Sequence, residues 1–165
     1  MIIMLCLMLI LSAAGCGSKT AEDSSALNMA NPWKTCGSLK DAEELAGFEL
    51  GMPEQIAGSY RAEEFSVMNG ELTILQVVYR DDDITVTVRK APGAGQDISG
   101  VYGFEKVADA DRNGVAIEVY WPADTSEMPN ASLTIFDLDG YSWSLYAPKG
   151  YWGDSCDDFL RAVFG

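Results

Sequence analysis

The sequence predicts an α+β domain: a twisted antiparallel sheet of about six or seven strands, with an N-terminal and a C-terminal helix packed on one face. Three observations point there. Apolar and polar residues alternate with period two in most runs between Tyr60 and Tyr146. Asn69-Gly70, Asn113-Gly114 and Asp139-Gly140 punctuate that stretch, and such dipeptides favour tight hairpin turns because both central residues must take positive φ. Helical spacing occurs only at the two ends.

The elements follow in order. Ser38 and Asp41 form a capping-box-like pair ahead of Leu39, Ala42, Leu45 and Ala46, and Gly47 stands where a C-terminal cap belongs, so a short helix is expected over 39–46. Strands are expected at 60–68 and 71–80, paired through Asn69-Gly70. Asp81-Asp82-Asp83 turns the chain into 84–90, where Ile84, Val86 and Val88 share one face and Thr85, Thr87 and Arg89 the other. A Gly- and Pro-containing loop, 91–100, precedes a strand near 102–108. Asn113-Gly114 introduces 115–121, whose Val115, Ile117, Val119 and Trp121 alternate with other residues, and Asp139-Gly140 joins 132–138 to 141–146. Asp154 or Ser155 can cap a final helix with Asp157 and Asp158 in its first turn and Phe159, Leu160, Val163 and Phe164 as its apolar stripe.

The first thirty residues read differently. An apolar run from Met1 to Leu11 passes into Ser12-Ala13-Ala14-Gly15-Cys16, the pattern of a bacterial lipoprotein signal peptide spanning 1–15. The run is shorter than the ~20 apolar residues a bilayer span needs. Cys16 is the expected lipidation site; an ordinary secretory signal cut near Ala14 is the alternative, and both place the mature chain outside the cytoplasm. No Lys or Arg precedes Lys19, although signal peptides usually open with one, so a start further upstream is expected. Residues 16–30, Ser-, Ala- and charge-rich without apolar periodicity, suit a flexible tether. Residues 31–165, beginning at Asn31-Pro32-Trp33, make one domain's worth of chain.

Charge narrows the partners. With 11 basic and 25 acidic residues and a net charge of -14, the chain lacks the clustered cations that displace counterions from a phosphate backbone, so no nucleic acid partner is expected. The same charge leaves a lipid on Cys16, and not electrostatics, as the attachment to the outer face of the cytoplasmic membrane. Of four cysteines, Cys6 and Cys16 belong to the signal and anchor. Cys36 and Cys156 are then expected to pair as a disulfide in an oxidising compartment, closing a loop of about 120 residues. Two free buried thiols or a metal pair are the other readings, but with no His and no CxxC a structural zinc site lacks half its ligands.

The sharpest motif is Asp109-x-Asp111-x-Asn113-Gly114, which matches the first half of a calcium loop. The bidentate carboxylate expected at its twelfth position falls on Tyr120, with Glu118 two residues early, so the run equally suits a solvated hairpin connection. Asp81 to Asp83 reads as a solvated turn, because adjacent carboxylates do not converge on one point. Among late aromatics, Tyr141 and Trp143 share a strand face with Leu145, leaving Tyr146, Tyr151 and Trp152 as candidates for contact with a sugar or a protein. Acid–base chemistry without His requires a carboxylate pair, and no spacing selects one; neither GxSxG nor SxxK occurs. The expectation is therefore no catalytic residues and no enzyme.

Asn31-Pro32-Trp33, Ala42-Glu-Glu-Leu-Ala-Gly-Phe48 with Met52-Pro53, and Arg89-Lys-Ala-Pro-Gly93 leading to Asp97-Ile-Ser-Gly100 and Tyr102 together resemble a group of uncharacterised lipoproteins and membrane-anchored domains of Gram-positive, mainly clostridial, bacteria. They are similar to an extracytoplasmic domain of unknown function that also occurs on anti-sigma-type membrane proteins. The resemblance covers about 31–165 and implies a surface-anchored α+β domain; it transfers no catalytic or binding residue. Three roles follow as expectations: a monomeric, non-catalytic module binding a protein, peptide or envelope component; an envelope-sensing module acting through a membrane partner; and a hydrolase with an unrecognised carboxylate pair. Because loops carry function more often than sheet faces, 91–100 is favoured over the wet face of the sheet as the working surface.

Overall fold

The structure is a computed structural model that describes residues 31–82, 84–126, 128–149 and 153–165. The signal peptide, the tether and Cys16 lie outside the described residues, as do Asp83, Tyr151 and Trp152. The fold is mostly antiparallel sheet with a helix near each end. In chain order the elements are β1 (Trp33–Cys36), α1 (Leu39–Ala46), β2 (Gln55–Ile56), β3 (Tyr60–Met68), β4 (Ile74–Arg80), β5 (Thr85–Pro92), β6 (Phe104–Arg112), β7 (Val115–Pro122), β8 (Ser132–Leu138), β9 (Tyr141–Ala147) and α2 (Gly153–Phe164).

Two antiparallel meanders, β3-β4-β5 and β6-β7-β8-β9, join where β5 pairs with β9, giving the order β1-β3-β4-β5-β9-β8-β7-β6. The sheet has nine strands, not six or seven. The two additions, β1 and β2, share the outer edge of β3, β1 opposite Phe65–Met68 and β2 opposite Tyr60–Arg61. Both are short and without alternation, so periodicity could not find them.

Side chains from both helices enter one core. Leu39 and Ala42 of α1 and Phe159 and Leu160 of α2 pack with Phe65, Val67, Leu75, Val77, Val86, Val88, Trp143 and Leu145. Phe159 is fully buried, its ring 5.1 Å from Tyr60 and 5.3 Å from Tyr79, and the Tyr79 hydroxyl donates to the Pro53 carbonyl at 3.0 Å. α1 has the expected caps: the Ser38 side chain accepts from the Asp41 N–H, and Gly47 closes the helix at φ 80°.

Two of the three expected tight turns form, Asn113-Gly114 (φ 55° and 81°) and Asp139-Gly140 (φ 53° and 78°). The third does not. Met68 pairs with Ile74, so residues 69–73 make a longer connection and β4 begins at 74 rather than 71. Within it Leu72 packs, like Trp33 and Met68, against Ile74, Ala91 and Ile98. Trp121 also departs from expectation: it alternates with Val119 as foreseen but is 55% exposed, at the rim of a cavity it shares with Cys156 of α2.

The predicted Cys36–Cys156 disulfide is corrected. Both residues are free thiols. Cys36 pairs with Phe65 on the β1 edge, while the Cys156 sulfur lies 4.0 Å from the Thr134 hydroxyl on β8. Five strand steps separate β1 from β8.

Candidate functional site

On the face away from the helices, β5, β9, β8 and β7 present Arg89, Ser142, Asp137, Ile135, Leu133, Glu118 and Tyr120. Residues 93–103 fold over part of this surface along a fixed path. The Gly93 N–H donates to the Gly140 carbonyl (2.9 Å), the Gly95 N–H to Asp137 Oδ2 (2.8 Å) and the Gln96 N–H to Ser142 Oγ (3.2 Å). Ser142 in turn donates to Asp137 Oδ1 at 2.7 Å. Further along, Arg89 donates to the carbonyls of Ile98 (3.1 Å) and Ser99 and to Gln76 Oε1 (2.8 Å), with its guanidinium 4.9 Å above the Trp33 ring. Burial pushes the Arg89 pKa down, and nearby Asp97 partly opposes that.

Glycine is required where loop and clamp meet. Gly100 has φ 61°, and a Cβ there would fall 2.6 Å from Arg89 Nη1. Ile98 anchors the loop's apolar side beneath this clamp, 3% exposed. At the far end Phe104 stands edge-on to Tyr146, 5.9 Å between centroids, and the Ala123 N–H donates to the Gly103 carbonyl at 2.8 Å.

Between this loop and the β7–β8 surface runs a half-open groove of about 660 Å³. Gly95, Gln96, Asp97, Val101 and Phe104 form one wall, and Ala116, Glu118, Tyr120, Leu133, Ile135 and Asp137 form the floor. Its size is that of ordinary ligand pockets. No Lys or Arg lines it. Beside it lies an ion network: Lys106 Nζ reaches Asp109 Oδ1 at 2.6 Å and Glu118 Oε1 at 2.8 Å, and the Tyr120 hydroxyl donates to Glu118 Oε2 at 2.6 Å. Hydrogen bonds from Lys106 and Tyr120 hold the Glu118 pKa below the usual carboxylate range, and Glu118 pushes that of Tyr120 up. Asp109 and Glu118 are thus a carboxylate pair that sequence spacing could not select, directly opposed across β6 and β7.

The calcium motif does not assemble as a loop. Asp109 and Asp111 lie within β6, two residues apart on a strand, and Asn113 sits in the tight turn beyond. Asp109 is taken by Lys106, and Asp111 Oδ1 accepts the Gly114 N–H at 3.1 Å. A strand holds such side chains in a row where a calcium loop wraps them around one point. Among the described residues no group of three or more His, Cys, Asp or Glu side chains is placed to hold a metal. Of the aromatic candidates, Tyr146 is half-buried against Phe104, its hydroxyl 3.8 Å from Met128 Sδ. Asp81 Oδ1 accepts the Asp82 N–H at 2.6 Å, a local turn contact.

A second cavity, about 470 Å³, opens on the helix face among Val119, Trp121, Pro122, Ser132, Thr134 and Cys156. Burial pushes the Cys156 thiol up to about 11, which keeps it protonated at neutral pH.

Sequence reasoning favoured the 91–100 loop as a working surface but missed Arg89 as its clamp and Asp137 and Glu118 as its neighbours. One signal was available: Gly93, Gly95, Gly100 and Gly103 all take positive φ, which marks a loop with a specific path. No helix among the described residues is long and apolar enough to cross a membrane. A scan against protein-family models, a search of curated proteins and a search of solved structures each return no match.

Proposed function

We propose that this chain is a lipoprotein, anchored through Cys16 to the outer face of the cytoplasmic membrane of a Gram-positive bacterium, whose domain is a non-catalytic binding module using the groove between residues 95–104 and β7–β8. One observation supports the binding reading above all: the groove's wall is tied to the sheet at Gly93, Gly95, Gln96, Ile98 and Ser99, so the cavity is formed before any ligand arrives. A preformed site loses little ordering entropy on binding. The lipoprotein-like signal and the tether-like segment 16–30 support the placement, as does the likeness of Asn31-Pro32-Trp33 and Arg89–Gly93 to clostridial membrane-anchored domains.

The site is tested by placing a photo-cross-linker at Val101 in the groove or at Lys40 on the exposed side of α1, in cells producing the full chain. Adducts at Val101 that are absent at Lys40, and that disappear when Ile135→Arg fills the floor, support the groove. Equal adduct patterns at both positions refute it. The anchor is tested by intact mass of the protein extracted from membranes: an acylated Cys16 is expected, and an unmodified one removes the lipoprotein reading.

A further inference from the structure

We infer that the groove's occupant is an extended peptide segment carrying Lys or Arg beside an apolar residue, an inference that rests on the groove being the binding site. Shape is the first argument. The groove's β7 lining runs from Val115 to Tyr120, five steps along the strand, or about 17 Å at ~3.4 Å per residue. A long, half-open channel of this kind matches five or six residues of extended chain.

Charge is the second argument. Asp97, Glu118 and Asp137 line the groove with no cation among its lining residues. Glu118 is neutralised by Lys106. Asp97 and Asp137 accept hydrogen bonds from Ser99, Gly95 and Ser142, and among the described residues neither makes an ion pair. Both side chains sit at the exposed wall and floor, where a peptide cation can reach them without leaving water entirely.

Apolar lining is the third argument. Beside those carboxylates, Val101 and Phe104 of the wall and Ile135 of the floor present half-buried apolar surface that suits aliphatic or aromatic side chains. An acidic segment meets two carboxylates that make no ion pair among the described residues, and a purely apolar one leaves them without a cation; a basic-apolar segment satisfies both features.

The test uses the full-length chain and two blocked pentapeptides, Lys-Phe-Lys-Val-Lys and its counterpart with Glu at the three Lys positions, read by fluorescence anisotropy and by amide shifts. The basic peptide is expected to bind, with shifts confined to residues 95–104, β7 and β8, and added salt is expected to weaken it. Asp97→Asn, which keeps an oxygen for the Ser99 N–H, is expected to weaken binding about threefold to fivefold. Asp97→Lys is expected to weaken it about tenfold or more. The inference is overturned if the acidic peptide binds as well as the basic one, if neither binds, or if Asp97→Lys changes nothing. Those results leave the groove itself intact as long as groove-dependent cross-linking at Val101 persists; loss of that cross-linking refutes the site, whatever the peptides do.

Discussion

Arg89 and Lys90 are neighbours on β5, yet they point to opposite faces of the sheet and fasten two different kinds of structure. On the helix face Lys90 Nζ donates to the carbonyls of Glu49 (2.7 Å) and Leu50 (3.1 Å) and lies 4.4 Å from the Tyr141 ring centre and 4.8 Å from that of Trp143. The segment it fastens also buries Leu50 completely and Met52 to 6% exposure. On the other face Arg89 fastens a loop that buries Ile98 and little else apolar. The first segment is held by apolar burial with a cation as an accessory; the second is held by polar contacts. That difference is what leaves a groove. A loop that contributes few apolar side chains cannot fill the surface beneath it, so Ile135 and Phe104 stay half-exposed along an open channel.

The comparison can be broken at its strongest point first. Phe159→Ala removes a fully buried ring from between Tyr60 and Tyr79 and is expected to cost about 3–5 kcal/mol in urea unfolding, while leaving the loop on the opposite face in place. Alkaline pH comes next. The Cys156 thiol rises from an ordinary 9.0 to about 11 in the folded protein, chiefly through burial. The unfolded chain therefore releases its proton first, and stability falls as pH rises from about 9 to 11. The loss is at most about 2–3 kcal/mol, reduced by solvent screening at this half-buried site. Denaturation across that range should show the decline in the wild type and a shallower one in Cys156→Ala.

Arg89→Met strands the carbonyls of Ile98 and Ser99 and is expected to cost about 1–3 kcal/mol, whereas Lys90→Met, backed by Leu50 and Met52, costs about 1 kcal/mol or less. Equal losses from the two substitutions would erase the contrast between the faces. Smallest is Lys106→Met, at an exposed network beside the groove: no measurable shift in the unfolding midpoint is expected, but the Tyr120 hydroxyl titration should move once Lys106 no longer shares Glu118.

Much of the fold was legible because its determinants are local. The α1 caps at Ser38 and Gly47, the turns at Asn113-Gly114 and Asp139-Gly140, and the alternation of Val86 and Val88 depend on residues close in sequence. What was not legible depends on distant partners. β1 and β2 exist because β3 offers an edge, and the cluster that Leu72 joins with Ile74, Ala91 and Ile98 comes together only after folding. A disulfide inferred from cysteine number alone could not register that β1 and β8 lie at distant positions in the sheet. The groove was hidden for the same reason: Arg89, Asp97, Glu118 and Asp137 come from four segments, and only the glycines at 93, 95, 100 and 103 hinted at a shaped loop.

The measurement that bears most directly on a groove formed before its ligand arrives is amide hydrogen exchange at Gly95 and Gln96 in the wild type and in Arg89→Met. Both amides donate to side chains of the sheet, so slow exchange is expected in the wild type, with faster exchange in the variant and unchanged protection in β3 and β4. Exchange at Gly95 and Gln96 as fast as in an unstructured peptide, in the wild type itself, would contradict a fixed wall and with it the preformed site.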